Sequence, residues 1–185
     1  QYVPGGRFAS LEHLDFHAAF RDPSMMKEWL GYGLFRAAGV PAPRSAHARL
    51  VVNGVDQGLF ALVEAIDGEF VEDHFRAIDG TGEGNLYKEV WPIHATPEPY
   101  RAALETHVAP TTDVSRMVRF AGALATATPA TFRATIASWT DLPTLVSYLA
   151  VDRLVDHWDG IVGWYCPQGQ ADTCRNHNYF WYEEA

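Results

Sequence analysis

Asp156 and Asp159 stand three positions apart just before Gly160, and Asn176, His177 and Asn178 lead into an aromatic run, Tyr179-Phe180-Trp181-Tyr182. Carboxylate and amide oxygens brought together suit a hard cation such as Mg²⁺, and one carboxylate can also orient a hydroxyl nucleophile. Two acids at a helix C-terminus oppose the negative end of the helix dipole, so their placement asks for a reason beyond the helix. The plain alternative is a solvated Asp156 and an Asp159 that only serves the turn before glycine. His157 and His177 lack a third ligand at metal-binding spacing, which favours hydrogen bonding for both.

Two other segments invite chemistry. The run Asp79-Gly80-Thr81-Gly82-Glu83-Gly84 could cradle a phosphate, but a P-loop needs Gly-Lys-Ser/Thr opening a helix. This run carries two acids and opens a strand, so it reads as a mobile connector. The two cysteines, Cys166 and Cys174, bracket a polar loop rich in turn residues, and no nearby four-ligand set offers zinc. A local disulfide is expected, and with it an oxidising compartment.

The elements that must position these residues follow from pattern. Asp22-Pro23 predicts a helix start, with Met26, Trp29, Leu30, Gly33, Leu34 and Ala37 recurring at helical spacing until Gly39 and Pro41. Residues 46–52 and 58–64 around Asn53-Gly54 predict a β-hairpin. A short helix over 68–76 and a strand over 85–90 come next. Helices over 97–107, 112–126 and 129–138 predict a packed helical layer, the last capped by Thr128. A final helix from Asp141, with Leu142, Leu145, Val146, Leu149, Leu154 and Val155 as its buried stripe, runs to residues 156–160.

Composition narrows the class. The 185 residues are 48% hydrophobic and 20% charged, with a formal net charge of −9, as in ordinary globular proteins. One domain is expected at this length. An acidic chain with twelve arginines but only Lys27 and Lys88 lacks the basic stripe that replaces phosphate counterions, so nucleic acid is not an expected partner. No apolar run approaches the roughly 20 residues needed to span a bilayer. The opening on Gln1 and the ending on Glu183-Glu184-Ala185 suit a piece of a larger protein.

Six segments in order carry a resemblance: residues 22–30, Gly39-Val40-Pro41-Ala42-Pro43, residues 52–64 with Asn53-Gly54, Asn85-Leu86-Tyr87-Lys88, Asp156-His157-Trp158-Asp159-Gly160 and His177-Asn178-Tyr179. Together they resemble the spore-coat CotH family of atypical protein kinases over roughly residues 8–185. The resemblance implies an α+β, kinase-like two-lobed fold, in which a helix and β-hairpin lobe precedes a mainly helical lobe. It implies ATP and Mg²⁺ or Mn²⁺ between the lobes, and phosphate passed to serine on secreted or surface proteins. Carried over by position, Asp159 is the catalytic aspartate with Asp156 in support, and Asn178 joins Asp159 in holding metal. Glu28 is the helix acid that pairs with a nucleotide-binding lysine, Glu64 marks the adenine-contacting hinge, and Lys88 approaches the phosphates.

The chain also departs from a kinase pattern. The usual lysine precedes the acid-bearing helix, yet few residues precede Asp22, which leaves Lys88 as the lysine to partner Glu28. A second metal-binding aspartate is expected beyond Ala185. Residues 160–175 look like an insertion that a Cys166–Cys174 bridge would pinch closed, worth about 2–3 kcal/mol in the chain-entropy model. The alternative function is a non-catalytic envelope or coat module of the same fold that binds protein or glycan through Trp29, Trp91, Trp158 and Trp164. The oligomeric state is not legible.

Overall fold

A computed structural model describes residues 6–7, 13–164, 166 and 174–185. The polar loop between the cysteines and residues 8–12 lie outside the described residues. Strand β1 (Leu14–His17) precedes helix α1 (Lys27–Ala37), and strands β2 (Ser45–Val52) and β3 (Val55–Glu64) form the hairpin. Asn53 and Gly54 both have positive φ, 52° and 80°, the type I′ geometry that matches strand twist. All three strands make one antiparallel sheet in the order β1-β3-β2. β1, a four-residue strand that the sequence reading did not assign, pairs Leu14 with Glu64 and His17 with Ala61.

Helix α1 begins four residues after Pro23 because Asp22 caps the turn before it. Its carboxylate accepts from Ser24 N at 3.1 Å and from Lys27 N at 2.9 Å. The expected apolar stripe of α1 is only half covered: Leu30 and Leu34 stay exposed, and the helix packs Phe35 against Tyr148, ring centroids 5.2 Å apart.

Helix α2 (Gly68–Asp79) is capped by Asp67, whose side chain accepts from Glu69 N and Phe70 N. Strand β4 (Asn85–Lys88) stops two residues short of expectation and pairs antiparallel with β5 (Phe180–Glu183). The helical layer is α3 (Glu98–Ala102), α4 (Ser115–Thr126), α5 (Phe132–Trp139) and α6 (Leu142–Leu154). α5 starts at Phe132 rather than Pro129, because residues 128–131 form a separate turn in which Thr131 N donates to Thr128 O. The final helix begins beside Asp141 as expected, and Asp141 caps it, accepting from Thr144 N. The buried face of α6 departs from expectation: Val146 and Leu154 are exposed, while Val151 and Asp152 are buried.

The main core joins β4 to the helices through Tyr87, Tyr100, Leu104, Val114, Met117 and Phe120. A second cluster, Phe70, Val71 and Leu86, seats α2 on the same strand. The connector at 79–84 is pinned: Asp79 accepts from Thr81 N, Gly82 N and the Tyr182 hydroxyl. A Cβ on Gly84 would collide with the Glu183 carbonyl and the Tyr182 ring, so its glycine serves close approach between backbones. Among the described residues, no helix is long and apolar enough to cross a membrane.

Candidate functional site

Strand β5 and the turn after α6 deliver Asn178 and Asp159 to one point. Asn178 Nδ2 donates to Asp159 Oδ2 at 3.0 Å and to the Asp159 carbonyl oxygen at 2.9 Å. Asn178 lies in the left-handed region at φ 52°, which asparagine tolerates better than most residues. It is held there by its own N–H, which donates to Glu89 Oε1 at 2.9 Å. Glu89 also has positive φ, 54°, and its Oε2 lies 3.4 Å from His177 Nδ1.

Asp159 Oδ1 is buried and takes no hydrogen bond from the protein. An orphaned buried carboxylate oxygen is costly unless something else meets it. Asn178 spends its amide nitrogen on Asp159, so its Oδ1 keeps its lone pairs. These two oxygens are the donor types a hard cation takes. Among the described residues, no group of three or more His, Cys, Asp and Glu side chains is arranged to hold a metal ion, so such a site would be completed by water or substrate oxygens.

The turn carrying Asp159 is braced from beneath. Asp152, with 0% of its surface exposed, accepts from His157 Nδ1 at 3.0 Å and from Arg153 Nη2 at 3.1 Å. A Cβ on Gly160 would collide with Asp152 Oδ1 and His157 Nδ1, so the dyad packs directly on that backbone. Asp156 is exposed at φ 52°, a turn residue whose side chain stands apart from this network. Across the loop, the disulfide Cys166–Cys174 is formed, Cα atoms 4.1 Å apart. Asn176 ties the loop down, donating to Gly163 O at 2.6 Å and accepting from Trp91 Nε1 at 3.3 Å.

A cavity of about 1080 Å³ lies beside this point, and Glu28, Glu64, Lys88, His157 and Asn178 all line it. Asp159 reaches it through Asn178. Glu28 faces the cavity as expected, but its basic partner is His17 of β1, Nδ1 to Oε1 2.9 Å, rather than Lys88. β1 crosses beside α1 and supplies that imidazole, whereas Lys88 forms no ion pair among the described residues and rests its ammonium 5.7 Å from the Phe180 ring centroid. Glu28 Oε2 is buried without a hydrogen-bond partner. Tyr32, one turn along α1, has its hydroxyl pushed up to about 12 by burial and by the neighbouring Glu28 and Asp15 charges.

Glu64 ends β3 with its carboxylate held by Arg44 and His74, Nε of Arg44 at 3.0 Å and Nε2 of His74 at 3.2 Å. Burial alone would raise its pKa, but the hydrogen bonds from His74 and Arg44 prevail and bring it from 4.5 to about 2. Its side chain is therefore committed to its neighbours rather than to the cavity.

A family model described as CotH kinase protein matches residues 2–185. The chain belongs to the CotH kinase family. No curated protein matches it. The fold is mixed helix and sheet, consistent with the expected α+β class, and the CotH match spans both the hairpin and the Asp159 turn.

Several residues of this CotH site escaped sequence reading. Asp152 was legible in principle: it continues the Leu145, Tyr148, Leu149 face of α6, so an acid was aimed into the core. His17 and Glu89 carried no signal, since their roles depend on β1 and β4 being brought to α1 and Asn178 by pairing distant in sequence.

Proposed function

We propose that the chain is an atypical protein kinase domain that transfers phosphate from ATP, with Mg²⁺ or Mn²⁺, to serine on secreted or surface proteins. The observation that carries this reading is the convergence of Asp159 and Asn178 beside the cavity lined by Glu28, Glu64 and Lys88. In this reading residues 1–185 are one domain, with β1–β3 and α1 as one lobe and α3–α6 as the other. Asp159 accepts or orients the serine hydroxyl proton while the oxygen attacks the γ-phosphorus and the bond to the β,γ-bridging oxygen breaks, releasing ADP, and Asp156 adds negative charge to the same turn. Asp159 Oδ1 and Asn178 Oδ1 would hold the cation, which supplies charge neutralisation on the phosphates.

Glu28, seated by His17, and Lys88, with its unpaired ammonium, serve the nucleotide phosphates. Glu64 takes part in the nucleotide pocket through its backbone at the end of β3, since its carboxylate is committed to Arg44 and His74. The Cys166–Cys174 bridge supports an exported location, extracellular or in the cell envelope, where a disulfide persists.

Incubation of the intact protein with labelled ATP and Mg²⁺ or Mn²⁺ tests the reading. Label is expected on serine, and Asp159→Asn is expected to cut incorporation by about 10²- to 10⁴-fold. Equal incorporation by wild type and Asp159→Asn would remove Asp159 from the chemistry. A second reading, a binding module for protein or glycan, draws support from the exposure of Trp29, Trp158 and Trp164, 47%, 57% and 70%. It is favoured if the wild type transfers no label yet retains a ligand that Asp159→Asn also binds.

A further inference from the structure

We infer that Asp152 is a positioning residue: through His157 and Arg153 it holds the turn at 156–160 in the conformation that lays Asp159 against Asn178. The inference rests on the kinase reading for its catalytic consequence and on geometry alone for the contact itself.

Asp152 is the one fully buried carboxylate among the described residues, and burying such a charge is unfavourable unless hydrogen bonds satisfy it. Its partners come from the segment that follows it. Oδ1 accepts from His157 Nδ1 at 3.0 Å, and Oδ2 from Arg153 Nη2 at 3.1 Å and Nε at 3.3 Å. The Asp152 carbonyl also accepts from His157 N at 3.1 Å, and Arg153 Nη2 donates to His157 O at 2.9 Å. His157 is thus fixed at its nitrogen, its carbonyl and its ring. The same carbonyl accepts from Gly160 N at 3.1 Å, which closes the turn around Asp159.

Replacing a buried ion pair by apolar residues is often neutral for stability, so what these bonds supply is a specific conformation. That conformation serves Asp159. Asp159 is gripped on its carbonyl and carboxylate by Asn178, and its backbone neighbour Gly160 lies against the Asp152–His157 pair with no space for a side chain. Asn178 is anchored separately, through Glu89. Freeing the turn would therefore move Asp159 away from a fixed Asn178.

The test uses the intact protein with Asp152→Asn and, pressing on the same contact from the other side, Gly160→Ala. Two readouts are taken: the side-chain amide resonances of Asn178, and kcat with ATP affinity for label transfer. Each folded variant is expected to lose the hydrogen-bonded shift of the Asn178 amide. Each is also expected to lower kcat by about 10- to 100-fold, with ATP affinity within about twofold of wild type. The inference is overturned if folded Asp152→Asn keeps the Asn178 shift, or if kcat and ATP affinity fall together. It is also overturned if neither variant folds, since Asp152 would then serve stability alone. A wild type that transfers no label, with the Asn178 shift still lost in the variants, would instead overturn the kinase reading and leave the positioning contact standing.

Discussion

Glu64 is the residue whose chemistry can be read as stability. Its folded carboxyl lies at about 2 against an ordinary 4.5, so the folded state binds the proton less readily than the unfolded chain. The stabilisation it contributes is complete above pH 4.5 and is lost as pH falls through that interval toward 2. Glu64→Gln should therefore cost about 1–3 kcal/mol at neutral pH, where it leaves Arg44 and His74 short of an acceptor. The gap in melting temperature between the two proteins should close as the pH is lowered from 4.5 toward 2. A gap that stays constant across that interval would count against the ion-pair origin. Lys88 presents the opposite case, a side chain whose ammonium lies over the Phe180 ring and meets no carboxylate among the described residues.

At the scale of elements, the connection between α2 and β4 is where glycine matters most. Gly84 N donates to the Tyr182 hydroxyl at 3.0 Å, and a side chain there would push against the Glu183 carbonyl. Gly84→Ala should destabilise the protein by about 1–3 kcal/mol by forcing β4 and β5 apart. Thermal melting would register this as a drop of several degrees, and an unchanged melting temperature would mean that the strands yield freely.

The hairpin, the start of the last helix and the aromatic strand were legible because each is written locally: an Asn-Gly turn, an apolar stripe that begins after Asp141, a run of four aromatic residues. β1 was not, because Leu14-Asp15-Phe16-His17 alternates over only four residues, three of them exposed, and its pairing with β3 joins segments distant in sequence. The start of α1 was displaced because Asp22, a good capping residue, spends its oxygens on a turn five residues long. The pairing of Asp159 with Asn178 was anticipated from residue type and resemblance. The bracing of Asp159 by Asp152 was not, because a buried acid announces itself only once the helix face is known to be covered.

At the scale of the whole molecule, the site depends on distant parts of the chain meeting. β4 and β5 pair Lys88 with Phe180, Glu89 holds Asn178, and Trp91 holds Asn176. Contacts of such sequence separation form only after long loops close, so the Asp159–Asn178 contact should appear late in refolding, after the helical layer. Refolding followed by far-ultraviolet dichroism and by the Asn178 amide signal should give a faster first phase and a slower second; coincident phases would contradict that order. The disulfide adds a consequence of its own. Because Cys166 and Cys174 are joined, the backbone between them is not the sole covalent link from Asp159 to Asn178. A protease that cuts between the cysteines would leave a two-chain protein, one band without reductant and two with it, whose short C-terminal piece stays seated through β5. Reduction after cutting should release that piece on dilution and abolish the site, whereas release without reductant would mean that the bridge was not closed. The bridge thus makes the segment between the cysteines a place where the main chain can be severed without dismantling what lies on either side.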